Sequence, residues 1–193
     1  EGVLIVPSII EGHKVTKLDE HLSFVNCDKM TKLILPAGLE SVGFGNFSKG
    51  CSSLADIEIS KNNPNFTSFK GVLYSKDMKK VVAYPKARDK IELSPQTKII
   101  GRAAFNGCTF KEIEVPSGIE RIESHAFVEM LNLEKIVFPA SVNEIWMQLF
   151  QEDSNLRKII FVGNAPEVHI EGIYGFFAYA PENIVIEVKK GTK

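Results

Sequence analysis

The chain has no strong net charge and no long apolar run. Its 193 residues carry 23 Lys and Arg against 24 Asp and Glu, a formal net charge of −1. Nucleic-acid binders and polybasic membrane-surface proteins need a strong positive field, so both classes are excluded. The longest stretch without Asp, Glu, Lys or Arg is ten residues, Gly172 to Pro181. A membrane helix needs about 20 apolar residues, so we expect no transmembrane segment in this chain.

Catalytic and metal-binding signatures are also missing. There is no G-x-S-x-G, G-x-G-x-x-G or P-loop motif. No histidine pair has the helical i, i+4 spacing of a zinc site, and no C-x-x-C occurs. We therefore predict no catalytic residues, no metal, no cofactor and no enzymatic activity. The four histidines are expected on the surface; they are His13, His21, His125 and His169.

Cysteine is scarce, with only Cys27, Cys51 and Cys108. An odd number cannot all pair within one chain. Cys27 and Cys51 are 24 residues apart and occupy the same position of the repeat described below. Two alternatives stay open: a disulfide between these two residues, or three buried thiols that fill one small apolar position.

What the chain has in abundance is Ile, Val and Phe, with 13 Phe among 193 residues. This composition favours strands. Short runs with apolar residues at alternate positions recur about every 23 residues, with one interval of 34. Phenylalanines recur at the same period, with one long interval in the same part of the chain. They are Phe24, Phe47, Phe105, Phe127, Phe150 and Phe177.

A repeat of about 23 residues is too short to bury its own apolar side chains, so its copies must stack. The alternating run has a period of two, which predicts a short strand with both apolar side chains inward. Pro follows this strand in several copies and ends it, as at Pro36, Pro116 and Pro139. We therefore predict a β-rich solenoid of short parallel strands.

The frame resembles the BspA-type leucine-rich repeat family, whose pattern is I-G-x-x-A-F-x-x-C-x-x-L-x-x-I-x-[IV]-P. The fullest match here is I-G-R-A-A-F-N-G-C-T-F-K-E-I-E-V-P, residues 100–116. The resemblance covers nearly the whole chain. Met130 and Asp153 replace the cysteine in later copies, and Trp146 stands where glycine is common. The resemblance implies a leucine-rich-repeat-like solenoid with a right-handed stack of coils.

The same resemblance implies a non-catalytic scaffold, secreted or displayed on the cell surface. Its partner would be a protein, such as a host extracellular matrix or cell-surface protein, or a glycan, with adhesion as the outcome. The alternative is a structural spacer in a larger surface protein that has no ligand of its own. The chain opens Glu1-Gly2-Val3 without a signal peptide, so we expect a processed piece. We expect it to be a monomer.

We predict a single repeat domain over residues 1–193, with two irregular parts. Residues 61–90 form an insertion in which Val72 to Ser75 and Lys80 to Pro85 flank a polar four-residue link. This arrangement predicts a β-hairpin. Residues 163–193 form an atypical C-terminal coil, as the end of a solenoid requires.

The outward positions of the predicted strands are the candidate ligand-binding residues, and we call this surface the strand face. It should be acidic in the middle, and at its C-terminal end Lys135 and Lys158 should lie beside an exposed apolar pair, Val137 and Ile160. A further strand is expected over Ile91–Leu93. The predicted binding residues are Lys32, Ile34, Asp56, Glu58, Glu112, Glu114, Lys135, Val137, Lys158 and Ile160.

Overall fold

The computed structural model describes residues 2–19, 24, 27–43, 50–164, 166–169, 181 and 183–189. These residues contain eighteen short strands and no helix. The strands are β1 (Val3–Ile5), β2 (Ile9–Ile10), β3 (His13–Lys14), β4 (Lys17–Leu18), β5 (Lys32–Leu35), β6 (Ser41–Val42), β7 (Asp56–Ile59), β8 (Phe66–Phe69), β9 (Val72–Ser75), β10 (Lys80–Ala83), β11 (Ile99–Ile100), β12 (Glu112–Glu114), β13 (Arg121–Ile122), β14 (Lys135–Phe138), β15 (Glu144–Trp146), β16 (Lys158–Val162), β17 (Glu167–His169) and β18 (Val185–Lys189).

The predicted apolar runs form two parallel sheets, one near each end of the chain. β1, β5 and β7 make the first, and β12, β14, β16 and β18 make the second. Leu33 pairs with Ile57, and Ile113 pairs with Ile136, which pairs with Ile159. All five side chains are buried. The solenoid and its inward apolar positions are therefore confirmed.

The coils also contribute second strands, which the repeat pattern does not predict. β10, β11, β13, β15 and β17 pair in parallel in chain order, and β4 pairs with β6 in the same way. Ile100, Ile122 and Ile145 point inward from this second sheet and are buried. The core thus lies between two stacks of short strands. The first coil additionally carries a small antiparallel hairpin of β2 and β3.

The predicted hairpin between residues 72 and 85 is confirmed, and it is part of the solenoid. β9 pairs antiparallel with β8 on one side and with β10 on the other. β10 then continues in parallel into β11. The three antiparallel strands therefore belong to the sheet that runs on through the second half of the chain.

The predicted strand over Ile91–Leu93 is wrong, since these residues form no strand. Two buried tyrosines hold this segment instead. The Tyr84 hydroxyl donates to the Lys90 carbonyl oxygen at 2.7 Å and accepts from the Glu92 amide at 3.1 Å. The Tyr74 hydroxyl accepts from the Ser94 amide at 3.1 Å. These hydrogen bonds set the backbone path of the segment, which therefore adds no strand to the parallel sheets.

β9 is buried on both of its faces. Val72, Leu73 and Tyr74 are each 0% exposed. Leu73 packs into a core formed by the N-terminal coils, whereas Val72 and Tyr74 pack into a core formed by the C-terminal coils. Since successive side chains of a strand point to opposite faces, β9 acts as a shared wall between two hydrophobic cores.

A column of stacked aromatic rings fills the C-terminal core. The centroids of Tyr84 and Phe105 are 4.6 Å apart, those of Phe105 and Phe127 are 5.6 Å apart, and those of Phe127 and Phe150 are 6.3 Å apart. Tyr84 therefore occupies the aromatic position in the long interval of the phenylalanine series. Phe47 and Phe177, which the period also predicts in this column, lie outside the described residues.

Asn63 joins the β8–β9 hairpin to the preceding coil. Its side chain is fully buried and makes four hydrogen bonds. Nδ2 donates to the carbonyl oxygens of Ala37 and Leu39 at 2.9 and 2.7 Å. Oδ1 accepts from the amides of Asn65 and Phe66 at 2.8 and 2.7 Å. Every hydrogen-bonding atom of this amide group has a partner.

We expect Asn63→Ala to lower the free energy of unfolding by about 3 kcal/mol, because it leaves buried backbone groups without partners. Chemical denaturation followed by circular dichroism measures this. The neighbouring exposed residue gives a matched control, since Asn62→Ala should change the stability by no more than about 0.5 kcal/mol. Equal effects of the two substitutions would contradict the role assigned to Asn63.

Candidate binding surface

The ten predicted binding residues lie on strands, at outward positions, but in two separate groups. Lys32 pairs with Asp56 and Ile34 pairs with Glu58 on β5 and β7. The other six lie on β12, β14 and β16 in two rows, Glu112–Lys135–Lys158 and Glu114–Val137–Ile160. Residues 61–111, with the β8–β9–β10 meander and the irregular 91–93 segment, separate the groups in the chain. Asp56 and Glu58 are therefore not cross-strand neighbours of Glu112 and Glu114.

Ion pairs neutralise most charges on this face. Lys32 Nζ lies 2.5 Å from Glu58 Oε1 and 3.3 Å from Asp56 Oδ2. Lys135 Nζ lies 2.6 Å from Glu112 Oε2. The carboxylate of Glu58 raises the pKa of Lys32, and that of Glu112 raises the pKa of Lys135. These pairs are exposed, so they fix the positions of side chains more than they add stability.

The apolar pair at the C-terminal end of the face differs from the sequence expectation. Ile160 is only 5% exposed, and Val137 beside it is half-buried. Ile160 lies on β16, between Val137 on β14 and Glu187 on β18. Val137 also has a neighbour on each side, Glu114 and Ile160, but it keeps more exposed surface and therefore offers more to a partner than Ile160 does.

β18 extends the same face, and the repeat pattern does not predict this strand. Glu187 pairs with Ile160, and Val185 pairs with Lys158. Lys158 Nζ lies 2.6 Å from Glu187 Oε1, and this contact lowers the pKa of Glu187. The run Val185-Ile186-Glu187-Val188, with Ile186 and Val188 at alternate positions, was a usable signal, but it lies outside the regular 23-residue frame.

No disulfide joins Cys27, Cys51 or Cys108, so the disulfide alternative between Cys27 and Cys51 is not the one the structure adopts. Cys51 and Cys108 are buried. Each Sγ lies 3.9 Å from the carbonyl oxygen of the aromatic residue in an earlier coil, Phe24 for Cys51 and Tyr84 for Cys108. Burial raises the pKa of Cys51 to about 11 and that of Cys108 to about 12, which makes both thiols poor nucleophiles.

Asp153 replaces cysteine in the last regular copy and carries a carboxyl group into the core. Its side chain is fully buried. Oδ1 accepts from the Met130 amide at 2.8 Å, and Oδ2 has no hydrogen-bond partner. Burial raises the pKa of Asp153 from 3.8 to about 8, and the nearby charges of Glu129 and Glu152 act in the same direction. Asp153 is therefore protonated near neutral pH.

This burial predicts a pH dependence of stability. The folded state holds a proton that the unfolded state releases above about pH 4, so the free energy of unfolding should fall as pH rises from about 4 to about 8. The slope from this one group approaches about 1.4 kcal/mol per pH unit within that window. Asp153→Asn keeps the Oδ1 acceptor and removes the titration, so it should flatten the profile between pH 6 and 8.

Urea unfolding at a series of pH values measures this difference. Glu134→Gln is the control, because Glu134 is exposed and is not one of the charges that raise the pKa of Asp153, so its profile should match that of the unmodified chain. An Asp153→Asn profile as steep as the original one would contradict the assignment.

Within the described residues, no group of three or more His, Cys, Asp or Glu side chains could hold a metal ion. In the same part of the chain, no helix is long and apolar enough to cross a membrane.

The chain matches a known family of repeats. Residues 6–85 and 80–176 match the model of the BspA type leucine rich repeat region, with six copies. No curated protein matches the chain.

Two solved structures share the fold. A leucine-rich repeat protein from Eubacterium ventriosum superimposes with a TM-score of 0.64 at 23% identity, over 83% of this chain and 42% of its own. The pneumococcal vaccine antigen PcpA superimposes with a TM-score of 0.62 at 20% identity, over 94% of this chain and 47% of its own. This chain thus spans less than half the length of either structure, and at these identities the likeness is one of fold.

Proposed function

Because the chain belongs to the BspA-type leucine-rich repeat family, we propose that it is a non-catalytic scaffold at the cell surface that binds a protein through its strand face. The partner is of the extracellular matrix or cell-surface class, and the chain binds it as a monomer. Family membership supports a repeat scaffold, and the outward positions of the strands support the site.

The observation that carries this proposal is the outer face of β12, β14, β16 and β18. Four parallel strands in continuous register present two flat rows of side chains. Val137 lies among charged residues, with Glu114 on one side and the Lys135–Glu112 pair in the next row. An apolar centre with a charged rim is the usual composition of a protein-binding surface. The rigid strands require no rearrangement on binding, which lowers the entropic cost of association.

The spacer alternative is favoured by one observation on the same face. Lys32, Lys135 and Lys158 each have a carboxylate partner within the chain. A face whose charges are already paired presents little net field to attract a partner. A spacer needs only a hydrophilic outer surface of this kind.

Substitution of Val137 distinguishes the two functions. Val137→Glu places an unpaired charge in the apolar centre, so it should weaken binding to a purified extracellular-matrix protein at least about tenfold. Surface plasmon resonance against a panel of such proteins measures the affinity. Ile160 is unsuitable for this test, because a charge at a buried position would unfold the chain.

Ile99→Glu is the matched control. Ile99 is also half-buried and lies on β11 of the second sheet, next to the inward residue Ile100. It should leave binding unchanged, with both variants keeping the original unfolding midpoint within a few degrees. Binding that persists in Val137→Glu would show that the binding site lies elsewhere on the chain. A failure to bind any protein of the panel would favour the spacer function.

A further inference from the structure

The outer face of the second sheet has an aromatic and acidic cluster. β13, β15 and β17 place Arg121, Glu144 and Glu167 in one row. A parallel row pairs Trp146 with His169. The residues between the rows, Ile122 and Ile145, point into the core, so both rows lie on the outside.

The second row begins with a position that cannot hold a side chain. A Cβ at Gly101 would lie 2.4 Å from the Val81 carbonyl oxygen, so only glycine fits there. The equivalent position of the next coil is Glu123, and the two after it are Trp146 and His169. The rings are therefore confined to the C-terminal end of this row, and core packing does not explain them because they face outward.

The polar atoms around Trp146 hold the indole in a fixed orientation. Trp146 Nε1 donates to Glu144 Oε1 at 2.8 Å, and Arg121 Nε donates to Glu144 Oε2 at 2.6 Å. The centroids of the Trp146 and His169 rings are 5.3 Å apart, with 33° between the ring planes. His169 Nε2 lies 3.4 Å from Glu144 Oε1. Since the only polar atom of the indole is already bonded, the rest of the ring offers an apolar surface.

We propose that Trp146, His169, Glu144 and Arg121 form a binding platform for a neutral oligosaccharide. A sugar ring has an apolar face of C–H groups, which packs on an aromatic ring, and a rim of hydroxyl groups. The carboxylates of Glu144 and Glu167 accept from these hydroxyls, and the remaining guanidinium N–H groups of Arg121 donate to them. Glu167 is 76% exposed at its side chain and available for this contact.

The charge of the cluster selects against other ligands. Two carboxylates outnumber the one guanidinium, so anionic ligands are repelled. Arg121 neutralises the charge of Glu144, so the cluster attracts a cationic peptide only weakly. A neutral ligand rich in hydroxyl groups matches the remaining donors and acceptors.

The chain contains a single tryptophan, so its fluorescence reports on this site alone. Titration of the full chain with trimers of glucose, galactose and N-acetylglucosamine should give a saturable change in tryptophan emission, with a dissociation constant on the order of 1 mM. His169→Ala and Glu144→Gln keep the fluorophore, and each should weaken binding at least about fivefold.

Lys61→Ala, at an exposed position outside both binding surfaces, is the control and should bind as the unmodified chain does. Variants are compared only if their circular dichroism spectra and unfolding midpoints match the original. No saturable change with any of the three trimers up to about 10 mM would overturn the proposal. Saturation that persists in both His169→Ala and Glu144→Gln, or that occurs only with a tetralysine peptide, would also overturn it.

Discussion

The structure depends on the stacking of coils, because no coil of about 23 residues can bury its own apolar side chains. Leu33 lies on Ile57, and Ile113 lies on Ile136 and Ile159. Each pair is set in register by backbone hydrogen bonds between parallel strands. The apolar columns and the backbone ladder therefore impose the same spacing, and the outward positions of each strand follow from it. Any binding surface on these sheets therefore consists of rows of side chains, to which each coil contributes one residue.

The antiparallel meander changes this regular stack without ending it. β9 has Leu73 in the N-terminal core and Val72 and Tyr74 in the C-terminal core. Tyr84, which directly follows β10, continues the aromatic column. Its hydroxyl group is hydrogen-bonded to the backbone of Lys90 and Glu92, in a segment that forms no strand. The consequence for function is a strand face divided into two patches, of which the C-terminal one has four strands in continuous register.

Much of the fold could be predicted from the sequence, because period and apolar alternation are local properties. The inward positions, the hairpin and the outward placement of the ten candidate residues are of this kind. The missing strand at Ile91–Leu93 was not predictable, since its apolar alternation is intact and its conformation is set by hydrogen bonds that the adjoining backbone makes with the Tyr74 and Tyr84 hydroxyl groups. The burial of Ile160 could not be predicted, because its neighbour Glu187 on β18 lies outside the regular 23-residue frame. Trp146 was visible as a departure from the repeat, but its contact with His169, 23 residues later, depends on the stacking of β15 on β17.

β9 contributes side chains to both cores, so the whole stack should unfold as one cooperative unit. Native-state hydrogen exchange of a Leu73→Ala variant tests it directly, since this buried leucine touches the N-terminal core alone. A buried Leu→Ala change removes about 3 kcal/mol of stability. If the stack is one unit, amide exchange should accelerate both in β5 and β7 and in β13 and β14. Acceleration confined to β5 and β7, with unchanged exchange in β13 and β14, would show two independent halves and contradict the account.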